Sequence, residues 1–261
     1  MRTNPYLAAL CLLVGVFMLG PVLLSVSAGF MQNYALGWRG GFTLQWLLEV
    51  WHGYGSTVLA SIGIASAAVI CTILIGLPCA YALARSKRNW ALWFEELITL
   101  PVAVPGLATA LALILVYGEF RGFRQHAAFI LAGHVIFTMP FMVRVLTAAF
   151  RRPELRTMEE AASTLGASFK QRFLGVLIPA VLPAVLSGAL MVFTLSIGEF
   201  NLTWMLHTPL TRTLPVGLAD SYASMRIEIG SAYTFVFLIV VLPLLWLMQL
   251  SERMLAKRYA H

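Results

Sequence analysis

The amino-acid sequence predicts an all-α integral membrane protein with six transmembrane helices. Hydrophobic residues make up 60% of its 261 residues and charged residues 11%, against roughly 45–50% and about 25% in a soluble domain. Six apolar runs are long enough to cross a bilayer, because one crossing takes about 20 apolar residues. Lysine and arginine concentrate in alternate loops between these runs. We therefore predict a single membrane domain over residues 1–261.

The six predicted spans recur along the whole chain, at about 7–30, 55–84, 97–117, 127–150, 180–200 and 231–250. The first run resembles a secretory signal, but it is longer than the roughly 7–15 residues of a typical signal core. We therefore predict that it remains as the first helix. The third run is interrupted at its start by Pro101, Pro105 and Gly106. Membrane helices tolerate such breaks where neighbouring helices satisfy the freed carbonyl groups.

Positive charge predicts which ends of the spans face the cytoplasm. With the N-terminus inside, twelve of the 18 Lys and Arg residues fall in inner segments, five fall in outer loops and one lies within a span. The inner residues are Arg2, Arg85, Lys87, Arg88, Arg151, Arg152, Arg156, Lys170, Arg172, Arg253, Lys257 and Arg258. Because cytoplasmic loops carry the excess of Lys and Arg, we predict a multi-pass membrane protein with both termini in the cytoplasm.

Composition also argues against several classes of function. The formal charge of +7 does not indicate nucleic acid here, because basic residues beside apolar spans more often mark the cytoplasmic side of a membrane. Cys11, Cys71 and Cys79 fall in apolar runs, where a thiol behaves as a small hydrophobe. The sequence has no paired spacing for a metal site, no catalytic constellation and no GxxxxGK[ST] phosphate loop. We predict a protein that is not an enzyme and binds no metal.

The longest inner loop, residues 151–179, is polar and yet has the pattern of two short helices. Pro153 suits a first helical turn, and Glu154 complements the positive end of the helix dipole. Apolar residues then recur at helical spacing until Gly166, a typical helix stop. A second segment, 168–176, leads into the fifth span. The loop is therefore predicted to be a folded helical platform on which something outside the membrane packs.

The loop carries Glu160-Ala161-Ala162, then Gly166, Val176 and Ile178-Pro179, and this motif resembles that of a known family, the permeases of ATP-binding-cassette importers. In those proteins a cytoplasmic loop carries Glu-Ala-Ala, three residues, Gly, nine residues, Ile, one residue and Leu-Pro. Here the pattern reads Glu160, Ala161, Ala162, Gly166, Val176, Ile178 and Pro179. The two departures, Val for Ile and Ile for Leu, conserve shape and apolarity. Segments 56–85 and 100–106 also look like this family, so the resemblance covers about residues 42–250.

The resemblance implies the type I permease fold and a coupling helix within residues 151–179. In that family the loop sits in a groove of an ATPase, so that closure of the ATPase dimer moves the spans. Ala161 and Ala162 would allow close approach, Gly166 would permit the turn, and Glu160 would accept a charge-assisted hydrogen bond. An interfacial amphipathic helix is the alternative for this loop.

The resemblance also implies a location in the bacterial inner membrane and a set of partners. These are an ATP-binding-cassette ATPase dimer, a second permease subunit, identical or related, and a periplasmic solute-binding protein, beside the lipid bilayer itself. This chain would bind no cofactor, because ATP and Mg would be held by the ATPase. Nucleic acid is not an expected partner.

Two ionisable residues within or at the ends of spans are candidates for the substrate path or a gate, because charge in a span is costly and usually faces a cavity or a partner. Arg144 lies in the fourth span, where it could also extend to the inner surface. Glu199 closes the fifth span, where it could also be a solvated helix end near the outer face. His134 is expected to be a hydrogen-bonded polar residue inside the bundle.

The resemblance also implies a small group of candidate solutes. Gly198-Glu199-Phe200 and the segment 212–215 look closest to the branch that serves polyamines, iron(III), thiamine, sulfate and 2-aminoethylphosphonate, and the last of these is the preferred solute. A secondary transporter is the main alternative class, but it would need intramembrane charges for coupling and typically an internal repeat. A membrane enzyme is the third class. ATP-dependent uptake with a separate ATPase distinguishes the first class from the other two.

Overall fold

A computed structural model of the protein describes residues 5–259, and apart from one isolated β-bridge between Met31 and Phe42 the elements in this range are helical. This confirms the predicted all-α class. The helices that precede the inner loop are α1 (Pro5–Ala28), α2 (Gln45–Arg85), α3 (Asn89–Ala103), α4 (Gly106–Tyr117), α5 (Arg121–Arg124) and α6 (Ala127–Phe150), with a 3₁₀ segment at Tyr34–Gly40.

The second half of the chain begins with the inner loop and continues with two more long helices. Its elements are α7 (Pro153–Thr164), α8 (Phe169–Arg172), a π-helical turn (Phe173–Leu177), α9 (Ile178–Ile197), α10 (Asn201–Leu206), α11 (Leu214–Ala223) and α12 (Ile227–Tyr259). Arg2 and the side chains of Arg253, Lys257 and Arg258, on which part of the predicted orientation rests, lie outside the described residues.

Five of the described helical segments are long and apolar enough to cross a membrane, and the third predicted span differs from them. It is not one helix but the pair α3 and α4, bent by 101°. Proline accounts for the break, because Pro105 has no N–H to continue a helix and the residue before a proline is driven out of the helical region. Val104 is accordingly extended, with φ −86° and ψ 132°.

Contacts at one end of the bundle indicate how many times the broken pair α3 and α4 crosses. The last residue of α2, Arg85, donates from Nη1 to the carbonyl oxygen of Phe150, the last residue of α6, at 2.7 Å. α2 and α6 therefore end on the same side of the bundle. Because α6 is itself a crossing, it begins on the opposite side. The chain from the end of α2 to the start of α6 must therefore cross once. Alone, α3 has 15 residues, or about 22 Å, which is short of the apolar core of about 30 Å. Together α3 and α4 form the third crossing.

The described chain divides into two compact units. One contains the residues up to Leu59 together with Leu214–Val240, and the other contains Ala60–Thr213 and the chain from Val241 onward. In the first unit the residue after α1, Gly29, lies directly against the start of α12, where a Cβ at Gly29 would be 2.7 Å from the backbone nitrogen of Ala232. Such contacts let two membrane helices approach closely.

The second unit is organised around α6 and α9. Met142 of α6 is fully buried and occupies the space left by two glycines. A Cβ at Gly188 of α9 would lie 2.8 Å from its sulfur, and a Cβ at Gly76 of α2 would lie 3.1 Å from its Cγ. Small residues therefore allow α2 and α9 to pack on opposite parts of the same α6 side chain. This packing holds α6 and α9 together, and these are the helices that lead into and out of the inner loop.

Candidate functional site

The inner loop is the folded platform that its sequence predicts, and we refer to residues 151–179 as the platform. Pro153 occupies the first turn of α7, with Glu154 beside it, as the helix dipole favours. Ser168 begins α8 with a capping box, since its hydroxyl accepts from the Gln171 N–H while the Gln171 side chain accepts from the Ser168 N–H at 2.8 Å. Each short helix of the platform thus has its own start signal.

Gly166 ends α7 in a left-handed conformation, with φ +81°. The Gly166 N–H donates to Ser163 O at 3.0 Å, and the Ala167 N–H donates to Ala162 O at 3.1 Å. These two bonds form a Schellman motif, which satisfies carbonyl groups at the helix end. A Cβ at Gly166 would meet nothing within 4 Å. The glycine is therefore required by its backbone angle and not by crowding within this chain.

α7 presents two different faces. Its inner stripe, Leu155 and Glu159, is buried against the ends of the spans. Its outer stripe consists of Met158 and, one residue beyond the end of α7, Leu165, which are 47% and 89% exposed. Exposed apolar side chains this large, grouped on a polar helix outside the spans, are typical of a surface that a partner protein covers.

The predicted coupling residues lie along this platform with different degrees of exposure. Glu160 and Ala161 are exposed, Ala162 is half-buried, Gly166 and Pro179 are exposed, and Val176 and Ile178 are half-buried. Glu160 pairs with Arg156 one turn earlier at 3.0 Å, and its side chain remains 65% exposed. An exposed i,i+4 pair contributes only about 0.3–0.5 kcal/mol. The Glu160 carboxylate is consequently available to an outside donor.

The neighbouring Glu159 was not singled out by the sequence, and it is the carboxylate that holds the platform to the spans. Its Oε1 accepts from the Tyr81 hydroxyl at 2.6 Å, and its Oε2 accepts from Arg85 Nε at 2.7 Å. We call Glu159, Tyr81 and Arg85 the Glu159 cluster. A sequence signal existed, because Glu159 lies one turn after the apolar Leu155, but its partners are 78 and 74 residues away.

Electrostatics keep Glu159 ionised although it is buried. Burial by itself raises the pKa of Glu159, but hydrogen bonds from Tyr81 and Arg85 and the positive charges of Arg85 and Arg172 outweigh it and hold the pKa below its usual value. A carboxyl group with a lowered pKa contributes stability above its unfolded pKa, and that stability is lost as the pH falls through the lowered value. The Glu159 cluster is therefore an intact ion pair throughout the neutral pH range.

A second candidate site lies where the break between α3 and α4 meets the turn between α9 and α10. A Cβ at Gly106, the first residue of α4, would lie 3.5 Å from Glu199 Oε1 and 3.3 Å from Asn201 Cβ. Glu199 itself lies in the turn between α9 and α10, where its Oε1 accepts from the Leu202 N–H at 2.7 Å. We call residues 104–106 and 198–201 the junction. Glu199 thus caps α10 and also faces the start of α4.

His134 connects the junction to α6. Its Nδ1 is 2.7 Å from Ser196 Oγ and its Nε2 is 2.7 Å from Thr203 Oγ1. Because Thr203 Oγ1 donates to Glu199 O at 3.1 Å, it must accept from His134, which assigns the proton to Nε2 and leaves Nδ1 to accept from Ser196. The expectation of a buried, hydrogen-bonded His134 is confirmed.

The same contacts indicate the depth of the junction. His134 is the eighth residue of α6, about 10 Å from its first residue along the helix. α9 ends at Ile197, beside the Ser196 that bonds to His134. The turn with Glu199 therefore lies at about the depth of His134, inside the first residue of α6. Non-helical backbone at membrane depth is tolerated only where protein buries it or where it lines a water-filled cavity.

Arg144, the other predicted path candidate, does not meet the junction residues in the described contacts. It lies on an exposed face of α6, six residues before the end of that helix at Phe150. This is about 9 Å along the helix, so that a long side chain can reach this end of the bundle. Within residues 5–259 there is no group of three His, Cys, Asp or Glu side chains that could hold a metal ion.

Comparison with known proteins assigns this fold to a class. A solved bacterial ATP-binding-cassette transporter involved in the import of the acidic polysaccharide alginate has a TM-score of 0.70 at 18% identity, covering 95% of this chain and 97% of that one. The fold is therefore that of a type I importer permease. The model of the binding-protein-dependent transport system inner membrane component family matches residues 72–260. The chain belongs to this family.

Two curated relatives give the family context. A protein provisionally named as the 2-aminoethylphosphonate transport system permease PhnV, from Salmonella typhimurium, is 28% identical over 234 residues, which cover 87% of this chain and 86% of that protein. The putrescine transport system permease PotI of Escherichia coli is 28% identical over 225 residues, which cover 82% and 78%. The protein is thus a multi-pass inner-membrane permease component, a non-catalytic part of a transporter that works with an ATPase and a binding protein.

Proposed function

We propose that this chain forms half of the translocation path of an ATP-driven importer and receives the ATPase on its platform. The observation that carries the proposal is the outer stripe of α7, which exposes Met158 and Leu165 next to the left-handed Gly166, on a helix whose inner face is bonded to the spans through Glu159. An amphipathic helix lying on lipid would bury its apolar stripe in the bilayer. Here the inner stripe contacts protein and the outer stripe is left for a partner.

The proposal requires three further components. A dimeric ATPase would bind ATP and Mg and contact the platform, whereas this chain would bind neither. A second permease, identical or related, would supply the other half of the path. A periplasmic solute-binding protein would contact the outer segments, 31–55 and 201–230. Uptake into proteoliposomes tests the whole assignment: solute should accumulate only when permease, ATPase, binding protein and ATP are all present. Accumulation driven by an ion gradient without ATPase would contradict it.

We propose that the platform and both termini lie in the cytoplasm. Support comes from a cleft at the platform whose charged side chains are mostly cationic, as the cytoplasmic side favours. The lining residues with charge are Arg85, Lys87, Arg151, Arg156, Arg172, Glu159 and Glu160. With α3 and α4 as one crossing and α1 and α12 each crossing once, the chain crosses six times. An even number of crossings leaves both termini on the same side of the membrane.

Cysteine labelling in intact cells tests this orientation. In a variant without the native cysteines, Leu210→Cys should react with a membrane-impermeant maleimide added from outside, because Leu210 is 95% exposed. Ser163→Cys, on the exposed part of α7, should react only after the cells are opened. The reverse pattern at the two positions would invert the proposed topology.

We further propose that the junction lines the solute path and that Glu199 contacts a positively charged part of the solute. The preferred solute is 2-aminoethylphosphonate, whose protonated amino group complements a carboxylate. Putrescine fits the same chemistry, and iron(III), thiamine and sulfate are the remaining candidates of this branch. Calorimetry with the purified binding protein, titrated with each of these solutes, would identify the one that is transported. Binding of sulfate alone would remove the proposed role of Glu199.

Glu199→Gln separates the charge from the cap, because the amide oxygen can still accept from the Leu202 N–H. Losing one charged contact costs about 1–3 kcal/mol, so uptake of an amine at subsaturating concentration should fall about tenfold. Assembly and basal ATP hydrolysis should remain near parental values. Glu119→Gln, which removes the same charge from an exposed outer position, is the control and should transport normally. Equal uptake by the two variants would make Glu199 a helix cap only.

A further inference from the structure

The Glu159 cluster joins three helices at one point. Arg85 ends α2 and donates from Nε to Glu159 on α7, while its Nη1 donates to the carbonyl oxygen of Phe150 at the end of α6. One guanidinium group thus connects the platform to two crossings simultaneously. The fork of donors on arginine suits this arrangement, since lysine could not make both bonds in fixed directions.

Aromatic side chains surround the cluster and extend the same attachment to α8. The Tyr81 ring meets Phe150 edge-on at 5.7 Å and Phe173 edge-on at 5.3 Å. Phe169, the first residue of α8, stacks on Phe173 at 5.6 Å. Edge-on and offset-stacked aromatic pairs are favoured over other relative orientations of the two rings. The platform is therefore held to the ends of α2 and α6 by oriented contacts on both α7 and α8.

The connection to α9 is of a different kind. Between α8 and α9 the chain forms a π-helical turn, Phe173–Leu177, followed by Pro179 in the first turn of α9. π-helical turns are rare and frequently occur at functional sites, and proline removes a backbone hydrogen bond. The covalent path from the platform into the fifth crossing therefore passes through irregular helix, whereas the path to α2 and α6 passes through an ion pair and packed rings.

We propose that Glu159 is the positioning residue that transmits movement of the platform to α2 and α6, and that the exposed Glu160 serves attachment of the ATPase. This division of roles rests on the proposed function. The two carboxylates are adjacent in sequence but point differently: the Glu159 side chain is 11% exposed and bonded to the spans, and that of Glu160 is 65% exposed. Glu159 transmits movement within the permease, and Glu160 contacts the ATPase.

Glu159→Gln and Glu160→Gln form a matched pair, since each removes one charge from neighbouring positions. We expect Glu159→Gln to retain the ATPase during co-purification and to hydrolyse ATP, but to move fewer solute molecules per ATP, by about fivefold or more. Glu160→Gln should show the opposite pattern, with weaker retention of the ATPase and a parental ratio in the complexes that form.

The measurements separate coupling from folding and from the proposed function itself. If Glu159→Gln unfolds at a lower temperature and loses the ATPase together with transport, Glu159 has only a structural role and the inference fails. It also fails if the solute-to-ATP ratio stays at the parental value. If the parent protein neither binds an ATPase nor transports with ATP, the proposed function fails instead, and that result is visible before any variant is compared.

Discussion

Gly166→Val should abolish most ATP-driven uptake by this permease while leaving its spans inserted in the membrane. Gly166 has φ +81°, a conformation that costs an ordinary L-residue about 1–2 kcal/mol and a β-branched residue more. Valine would either strain the turn or unwind it, and unwinding would break the two Schellman bonds to Ser163 and Ala162. Leu165 and the outer stripe would then be displaced from the surface that the ATPase contacts. The measurement is ATP-dependent uptake together with co-purification of the ATPase.

Two variants serve as controls for this result. Gly166→Asn should retain most activity, because asparagine adopts the left-handed conformation more readily than other non-glycine residues. Gly175→Ala lies in the same platform, where a Cβ would also meet nothing within 4 Å but the backbone angle is not positive, and it should behave like the parent. If Gly166→Val and Gly175→Ala are equally active, the turn at Gly166 has no role in coupling.

Gly29→Ala should have the largest effect on folding of the changes considered. The added methyl carbon would lie 2.7 Å from the backbone nitrogen of Ala232 and 3.0 Å from the backbone carbon of Ser231. Neither atom belongs to a flexible side chain, so the end of α1 must move away from α12. Overpacking of this kind typically costs 1–3 kcal/mol, and occasionally more. We expect a lower unfolding temperature in detergent and a lower yield of folded protein.

Gly20→Ala is the matched control, since the same methyl group at Gly20 would meet nothing within 4 Å. Gly20 lies inside α1, where alanine is favoured over glycine by up to about 1 kcal/mol. This variant should therefore unfold at the parental temperature or slightly above it. An unfolding temperature for Gly29→Ala that matches that of Gly20→Ala would show that the α1 end and α12 do not touch in the folded protein.

Hydropathy was sufficient to predict where the crossings lie, and it was insufficient for their shape. The run at 97–117 was long enough for one span, and Pro105 marked a possible break. The 101° bend depends on what lies beside the break, and Gly106 packs there against Asn201, a residue distant in sequence. Likewise, α9 ends at Ile197, three residues before the predicted end of the fifth span, and the bond of Ser196 to the buried His134 joins residues that hydropathy does not relate.

In the platform, too, the sequence predicts where helices start and stop but not which distant residues they contact. Its helix start at Pro153, its stop at Gly166 and its second start at Ser168 are local signals, and the structure has all three. Which of two adjacent glutamates faces inward depends on the rotation of α7, and one residue changes that rotation by about 100°. The motif identifies Glu160, whereas Glu159 is bonded to Tyr81 and Arg85, which belong to α2.

The most direct measurement of the central claim is photo-crosslinking from the platform to the ATPase. A photoreactive amino acid at position 165, where Leu165 is 89% exposed, should crosslink to the ATPase in the assembled, transport-active complex. The same amino acid at position 210, where Leu210 is 95% exposed, should not. The account predicts an ATPase adduct from position 165 alone. An active complex with no adduct at position 165, or with equal adducts at both positions, would contradict it.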